Sequence, residues 1–187
     1  MNGSAKGLPP AAEGKFVVLI GLMGVGKSNV GRRLADLLRL PFVDTDTEIE
    51  DAAGRSIEDI FEEFGEPYFR DGERKVISRL LDGPQAVMAT GGGSYMDPDT
   101  RRAIQEKGIS IWLRADLDLL VKRTKRRDNR PLLKQGDRRD TLAQLIAKRY
   151  PVYGEADIII DVAEESAEET TQRVLEALQN YQPAEAD

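Results

Sequence analysis

Short runs of apolar residues alternate along this chain with longer segments in which apolar residues recur every three or four positions. The short runs predict five β-strands, at 16–20, 41–44, 86–89, 109–114 and 158–161. The longer segments predict helices at 27–39, 45–52, 56–64, 66–81, 97–106, 116–126, 139–150 and 166–180. Short apolar strands separated by helices indicate a parallel sheet that is covered on both faces. We therefore expect an α/β protein, a three-layer α/β/α sandwich around a five-stranded parallel sheet.

The loop after the first predicted strand has the sequence Gly-Leu-Met-Gly-Val-Gly-Lys-Ser, from Gly21 to Ser28. This is a complete G-x-x-x-x-G-K-[ST] phosphate-binding motif, and it lies between a strand and a helix, as the motif requires. Its backbone N–H groups are expected to face phosphate oxygens, with Lys27 reaching the β- and γ-phosphates and Ser28 Oγ holding Mg²⁺. A glycine turn with a purely structural role is the alternative interpretation.

Composition narrows the chemistry that is available to the 187 residues. The chain has no cysteine and no histidine, which excludes disulfides, thiolate or imidazole metal sites and a Ser-His-Asp triad. The net charge of −6 argues against general nucleic-acid binding. The N-terminal segment lacks the apolar part of a signal peptide, and no apolar run approaches the ~18 residues of a membrane span. We expect a cytoplasmic protein with one domain at 15–180 and disordered tails at 1–14 and 181–187.

Positive charge is concentrated between Lys122 and Arg139, where nine basic and two acidic residues occur. We interpret the segment at about 122–139 as a mobile lid that faces phosphate, because arginine grips phosphate oxygens well. The alternative is a solvated charged helix face.

Three further motifs follow predicted strands or lie on a predicted helix. Asp44-Thr45-Asp46 ends the second strand and places two carboxylates on the same side of an extended backbone, although a helix cap is an alternative role. Arg70 and Glu73 lie one helical turn apart on a predicted helix. We interpret Arg70 as a functional arginine that the carboxylate of Glu73 orients, and the alternative is a surface ion pair.

Gly91-Gly92-Gly93 follows the third strand and is interpreted as a flat wall for a small ring, rather than a bare turn. Ligands of parallel α/β sheets bind at the carboxyl ends of the strands. We therefore expect Gly21, the 44–46 segment, the 91–93 segment and the segment after Arg114 to meet at one cleft.

Two more segments complete the set of motifs, Arg130-Pro131-Leu132-Leu133 and Lys148-Arg149-Tyr150-Pro151-Val152-Tyr153. Taken in this order, the motifs resemble those of the shikimate kinase family, within the nucleoside-monophosphate-kinase-like group. The resemblance runs from about 16 to 178. It implies transfer of the γ-phosphoryl group of ATP to the 3-hydroxyl of shikimate, a step in aromatic amino acid biosynthesis. It also implies ATP and Mg²⁺ as cofactors, shikimate and ATP as ligands, no nucleic-acid or membrane partner, and a monomer.

The resemblance also implies a role for individual residues. Shikimate would be bound by Asp46, Arg70, Gly91, Gly92, Gly93 and Arg149, with Asp46 holding ring hydroxyls and the two arginines holding the carboxylate. ATP would be bound by Gly24, Val25, Gly26, Lys27, Ser28, Asn29, Arg123 and Arg130, with Arg123 against adenine. Mg²⁺ would be held by Ser28 and, through water, by Asp44. Catalysis would depend on Lys27, Asp46 and the lid residue Arg130.

Two positions depart from the family pattern. Asp161-Val162-Ala163-Glu164-Glu165-Ser166 stands where relatives often carry basic or Asn-Pro residues near adenine, which suggests backbone contacts there. Asp71 stands where several relatives have a second arginine. The alternatives that remain open are a kinase of another small polyol acid such as gluconate and a catalytically silent nucleotide-binding regulator. A GTPase is less favoured, because the chain has no Asn-Lys-x-Asp motif.

Overall fold

The computed structural model describes residues 7–125 and 137–184. Within these residues five parallel strands form one sheet, in the order β2-β3-β1-β4-β5. The strands are β1 (Phe16–Ile20), β2 (Phe42–Asp44), β3 (Val87–Ala89), β4 (Gly108–Arg114) and β5 (Ile158–Asp161). The α-helices are α1 (Lys27–Leu38), α2 (Thr45–Ala53), α3 (Ile57–Phe64), α4 (Glu66–Leu81), α5 (Pro98–Lys107), α6 (Leu117–Thr124), α7 (Arg138–Tyr153) and α8 (Ala167–Gln179). Short 3₁₀ helices occupy Pro10–Ala12 and Ser94–Met96.

The sheet forms the centre of the core. Every residue of β1 is buried, and β4 is buried from Gly108 to Leu113, because helices cover both faces of the sheet. Helices α1 and α8 pack together against the sheet, while α5 packs on β1 and β4 with α4 beside it. The expected α/β/α sandwich with five parallel strands is thus confirmed.

The largest departure from the predicted elements is in α7, which continues through Pro151 to Tyr153 instead of ending at 150. A proline inside a helix removes one backbone hydrogen bond and normally ends the helix. Here the hydroxyl of Tyr150 donates to the carbonyl of Ala115, and that of Tyr153 donates to the carbonyl of Gly92. These anchors and the packing of both rings on Trp112 hold the last turn in place.

Parts of the two segments that we expected to be tails are attached to the domain. Ala12 is buried, and Gln85 Nε2 donates to the carbonyls of Ala12 at 3.1 Å and Lys15 at 2.7 Å. Near the other end, Tyr181 Oη donates to Asp157 Oδ1 at 3.2 Å. Composition alone suggested tails because these contacts join residues that are far apart in sequence. In the part of the chain that the structure describes, no helix combines the length and apolar character needed to cross a membrane.

The carboxyl ends of β1, β2 and β3 lie at the same edge of the sheet, since Leu19 and Asp44 are both in register with Ala89. The phosphate loop (residues 21–28), the Asp44-Thr45-Asp46 segment and the triglycine segment (residues 91–93) leave these three strands directly. Parallel pairing therefore brings together three motifs whose first residues are up to seventy positions apart in the sequence.

Candidate active site

A cavity of about 720 Å³ opens at this edge of the sheet. Its walls come from the phosphate loop, the 44–46 segment, the triglycine segment, helix α6 and the loop between β5 and α8. The residues that line it are Gly24, Gly26, Lys27, Ser28, Asn29, Arg32, Asp44, Asp46, Thr90, Gly91, Gly92, Leu119, Lys122, Arg123, Thr124 and Glu164. The expected convergence of the three motifs is thus present in one cleft.

The phosphate loop has a backbone that glycine makes possible. Gly24 has φ +83° and Gly26 has φ +103°, in the region that side chains disfavour, and a Cβ atom at Gly24 would lie 2.7 Å from Thr124 Cγ2. Lys27 Nζ donates to the carbonyls of Gly21 at 2.7 Å and Leu22 at 3.0 Å. The ammonium group is therefore held across the loop, at the N-terminus of α1, where the helix dipole and free N–H groups attract anions.

Ser28 and Asp44 form a pair of oxygen donors beside the loop. Ser28 Oγ donates to Asp44 Oδ2 at 2.6 Å, and Asp44 Oδ1 accepts from the backbone N–H of Asp46 at 3.0 Å. Asp44 is thus the N-cap of α2 and also faces the loop, so the capping role and the site role coexist. A hydroxyl and a carboxylate next to a phosphate loop are the hard oxygen donors that Mg²⁺ prefers, with phosphate and water completing its shell. The residues present therefore fit the expected metal.

Asp46 lies in the first turn of α2, against the triglycine segment. A Cβ atom at Gly91 would be 2.9 Å from Asp46 Oδ1 and 3.1 Å from Glu73 Oε2. The backbone N–H of Gly91 donates to Thr45 Oγ1 at 3.2 Å, so the buried threonine between the two aspartates ties β2 to this wall. Asp46 thus faces the cleft while Asp44 faces the phosphate loop.

Glu73 is a buried acceptor that orients Arg70. It is 3% exposed, and it accepts from Arg70 Nη1 at 2.9 Å and from Ser94 Oγ at 2.9 Å. Arg70 also contacts Glu66 one turn earlier, at 3.3 Å. The alternative of a surface ion pair is therefore wrong for Arg70 and Glu73, because the acidic partner is inside the protein and the arginine is partly covered.

The triglycine segment allows two guanidinium groups to approach the backbone. A Cβ atom at Gly92 would be 2.9 Å from Arg149 Nη1, and one at Gly93 would be 2.5 Å from Arg70 Cζ. Real Cβ atoms essentially never show such distances, so a side chain at Gly92 or Gly93 would force the guanidinium group to shift. Arg70 from α4 and Arg149 from α7 thus lie at neighbouring peptide units on the same wall.

Arg149 is 5% exposed, and its Nη1 atom has no hydrogen-bond partner among the described residues. A buried guanidinium with an unpaired N–H group is costly unless a ligand satisfies it. Its position beside Gly92 therefore indicates an anion site, and a carboxylate matches the fork of N–H donors.

Arg123 lines the cleft from α6, beside the phosphate loop. Its Nη1 donates to the carbonyl of Val25 at 3.0 Å and its Nη2 to the carbonyl of Ala163 at 3.4 Å. Lys122 forms an ion pair with Glu164, across the same gap between α6 and the β5–α8 loop. Asn29 lines the cavity and accepts from Arg33 Nε at 3.3 Å. Arg130 and residues 126–136, the central part of the lid that we expected at about 122–139, lie outside the described residues.

Three residues of this site have no role that their sequence pattern predicts, namely Ser94, Thr45 and Tyr153. Ser94 and Thr45 hold Glu73 and Gly91 from neighbouring segments, and Tyr153 reaches Gly92 from α7. A weak signal exists for Tyr153, because it follows Arg149 by four positions and so lies on the same helix face.

A phosphate loop at the carboxyl edge of a parallel sheet, with a carboxylate in the same cleft and two guanidinium groups against its triglycine wall, defines a P-loop kinase of small molecules. The model of the family described as shikimate kinase matches residues 23–179. This chain belongs to the shikimate kinase family, and it is an ATP-dependent phosphotransferase with an alcohol group as acceptor.

Individual relatives agree with this assignment. A shikimate kinase from Paramagnetospirillum magneticum is 60% identical over 168 residues, which cover 90% of this chain and 86% of the relative. One from Rhodopseudomonas palustris is 57% identical over 165 residues, covering 88% of this chain and 81% of the relative. A solved structure of the Acinetobacter baumannii shikimate kinase in complex with shikimate superposes with a TM-score of 0.85 at 37% identity, covering 88% of this chain and 92% of that one.

Proposed function

We propose that this chain transfers the γ-phosphoryl group of ATP to the 3-hydroxyl of shikimate, giving shikimate 3-phosphate and ADP. The observation that carries the proposal is the position of Arg149 and Arg70 against the adjacent glycines Gly92 and Gly93, since Gly92 lines the same cleft as the phosphate loop. Two guanidinium groups at neighbouring peptide units suit a single carboxylate on a small ring. A nucleotide alone would give no reason for a second anion site there.

At the acceptor end of the cleft, which would hold shikimate, each of the residues has a separate role in binding. Arg70, oriented by Glu73, and Arg149 would hold the carboxylate of the substrate. Gly91, Gly92 and Gly93 would form the flat wall behind the ring, since no side chain projects from them. Asp46 would bind the ring hydroxyls, including the one that reacts.

The donor end would hold the triphosphate. Backbone N–H groups at Gly24, Val25, Gly26 and Asn29 and the ammonium group of Lys27 would bind phosphate oxygens, and Arg123 would lie against adenine. Ser28 and, through water, Asp44 would hold Mg²⁺, which neutralises charge on the β- and γ-phosphate oxygens when bound. Arg130 would add positive charge from the lid.

In the transfer step the oxygen of the 3-hydroxyl bonds to the γ-phosphorus, and the bond from that phosphorus to the bridging oxygen of ADP breaks. The hydroxyl proton passes to Asp46 or leaves to solvent late in the reaction. Positioning and charge stabilisation supply most of the acceleration in such loose transition states, which suits a site without histidine or cysteine.

We also propose that the enzyme works as a monomer in the cytoplasm. The phosphate loop, Asp46 and the triglycine segment already meet in one cleft of a single chain, and ATP is a cytoplasmic metabolite. Its partners would be the two small molecules, with no nucleic acid or membrane involved.

The proposal is tested by ADP release from ATP and Mg²⁺ with shikimate, with gluconate and with no acceptor. We expect rapid release with shikimate and only background rates otherwise, and a much lower rate when GTP replaces ATP. A higher rate with gluconate than with shikimate would assign a different polyol acid, and background rates with both would indicate a silent nucleotide-binding protein.

A further inference from the structure

The hydroxyl of Tyr153 donates to the carbonyl of Gly92, the residue at the centre of the triglycine wall. Tyr153 is fully buried at the end of α7, and its ring packs edge-on against Trp112, with 5.7 Å between ring centroids. Tyr153 exposes no surface, so any influence on the substrate must pass through its neighbours.

The hydrogen bond fixes the orientation of one peptide group. The C=O of Gly92 and the N–H of Gly93 belong to the same planar trans unit and point in opposite directions. Because the carbonyl is drawn into the core by Tyr153, the N–H points away from it. Glycine has no side chain that would resist rotation of the peptide group between Gly92 and Gly93. The hydrogen bond from Tyr153 therefore limits a rotation that the glycine residues themselves allow.

The hydroxyl of Tyr153 also lies beside Arg149, the arginine that we propose binds the carboxylate of the substrate. Arg149 precedes Tyr153 by one helical turn, and Arg149 Nη1 would lie 2.9 Å from a Cβ atom at Gly92. Burial raises the pKa of Tyr153 to about 12, although the neighbouring Arg149 guanidinium acts to lower it. The hydroxyl is therefore neutral in ordinary buffers and remains a donor to Gly92, while Arg149 Nη1 is left unpaired for a ligand.

We propose that Tyr153 is a positioning residue of the acceptor site, which holds the Gly92 peptide group and Arg149 in the arrangement that binds the carboxylate of the substrate. This inference rests on the proposed function and deepens it. Tyr153 touches neither the nucleotide site nor the reacting hydroxyl, so its contribution should appear in acceptor binding and leave the donor side unchanged.

The test uses Tyr153→Phe, which removes the hydroxyl and keeps the ring, in steady-state assays with shikimate and ATP. We expect the KM for shikimate to rise about tenfold, as the loss of one positioning hydrogen bond implies, while the KM for ATP and kcat stay within about twofold. An unchanged KM for shikimate would overturn the inference.

A matched control is Tyr150→Phe, on the same helix. It also removes a hydroxyl that donates to a backbone carbonyl, that of Ala115, and its ring also packs on Trp112. We expect this variant to keep the wild-type KM for shikimate. A similar rise in both variants would assign the effect to general loosening of α7 and would overturn the inference.

Trp112→Phe provides the complementary comparison, because it weakens packing around Tyr153 and leaves the hydroxyl in place. We expect a lower melting temperature with little change in the KM for shikimate, and a rise in KM equal to that of Tyr153→Phe would again contradict positioning by the hydroxyl.

The activity of wild type distinguishes failure of the proposed function from failure of the role inferred for Tyr153. If wild type does not use shikimate the proposed function fails, whereas a normal wild type with a normal Tyr153→Phe refutes only the role of Tyr153.

Discussion

The guanidinium group of Arg70 lies directly against the backbone of Gly93, where a Cβ atom would be 2.5 Å from Arg70 Cζ and 2.5 Å from Arg70 Nη1. The arginine cannot move away freely, because buried Glu73 holds its Nη1 atom at 2.9 Å. The absence of a side chain at residue 93 is therefore part of the geometry of the acceptor site.

A methyl group at Gly93 should displace Arg70 and damage acceptor binding. For Gly93→Ala we expect the KM for shikimate to rise at least about tenfold, because a misplaced guanidinium loses its paired hydrogen bonds to a carboxylate, while the KM for ATP changes little. The control is Gly72→Ala in the same helix as Arg70, where a Cβ atom would meet nothing within 4 Å. We expect that variant to keep wild-type kinetics and to gain about 0.5–1 kcal/mol in the free energy of unfolding. Equal KM values in Gly93→Ala and wild type would show that Arg70 does not bind the acceptor.

Removal of the Ser28 hydroxyl should weaken metal binding. In Ser28→Ala the Mg²⁺ concentration for half-maximal rate should rise about tenfold or more, because one of the hard oxygen donors is lost. A titration of rate against free Mg²⁺ at saturating ATP measures this, and excess EDTA should abolish wild-type turnover. Ser78→Ala, at an exposed position of α4, should leave the titration unchanged. A normal metal requirement in Ser28→Ala would contradict the assignment of Ser28.

Asp46 should be needed for turnover and dispensable for folding. We expect Asp46→Asn to lower kcat by at least about 100-fold, since an amide can neither accept the proton nor orient the hydroxyl as a carboxylate does. Circular dichroism and the melting temperature should remain close to wild type. Asp51→Asn, at an exposed position later in α2, should retain full activity. Retention of more than about a tenth of the activity in Asp46→Asn would remove Asp46 from catalysis.

The sequence was sufficient for the sheet and for the three motifs that meet at its edge. Strands such as β1 and β5 were predicted at their observed ends because they are apolar runs bounded by glycine or acidic residues. The phosphate loop was recognised because its function requires glycine and lysine at fixed spacing. The convergence of the loops followed from parallel pairing, which puts the carboxyl ends of strands at one edge.

Other features depended on contacts that no local pattern encodes. An Arg–Glu pair at positions i and i+3 looks the same on a solvated helix and on a buried one, so the burial of Glu73 under Ser94 could not be deduced. The continuation of α7 through Pro151 depends on hydroxyl anchors at residues 35 and 61 positions away in sequence. Local propensity is overridden at such places by tertiary packing.

The raised pKa of Tyr153 predicts a specific change of stability at alkaline pH. The folded pKa of about 12 lies above the ordinary value of 10.0, mainly because of burial. Below pH ~10 the proton is bound in both states, whereas between pH ~10 and ~12 the unfolded chain alone releases it. Wild type should therefore lose roughly 2–3 kcal/mol of unfolding free energy from this group across that interval.

Tyr153→Phe lacks this titration, so its stability should fall less steeply than that of wild type over the same interval. Urea denaturation at several pH values measures the difference between the two proteins, which cancels the other titrating groups. Tyr68→Phe removes an exposed hydroxyl and should follow wild type. Parallel loss of stability in wild type and Tyr153→Phe would show that the buried hydroxyl is not held in its neutral form.

Arg149 should reveal a conflict between stability and ligand binding. Its buried Nη1 atom has no partner among the described residues, so the unliganded protein bears the cost of desolvating that group. In Arg149→Met we expect the free energy of unfolding to rise by about 1–3 kcal/mol without ligand, because an apolar chain of similar length fills the space. Shikimate should raise the melting temperature of wild type and leave that of the variant unchanged, since ligand stabilises only a protein that binds it.

The control is Arg102→Met, at an arginine whose side chain is 67% exposed. It should change the free energy of unfolding by less than about 0.5 kcal/mol and keep the response to shikimate. A less stable Arg149→Met that still responds to shikimate would mean that Arg149 supports the fold and does not bind the acceptor.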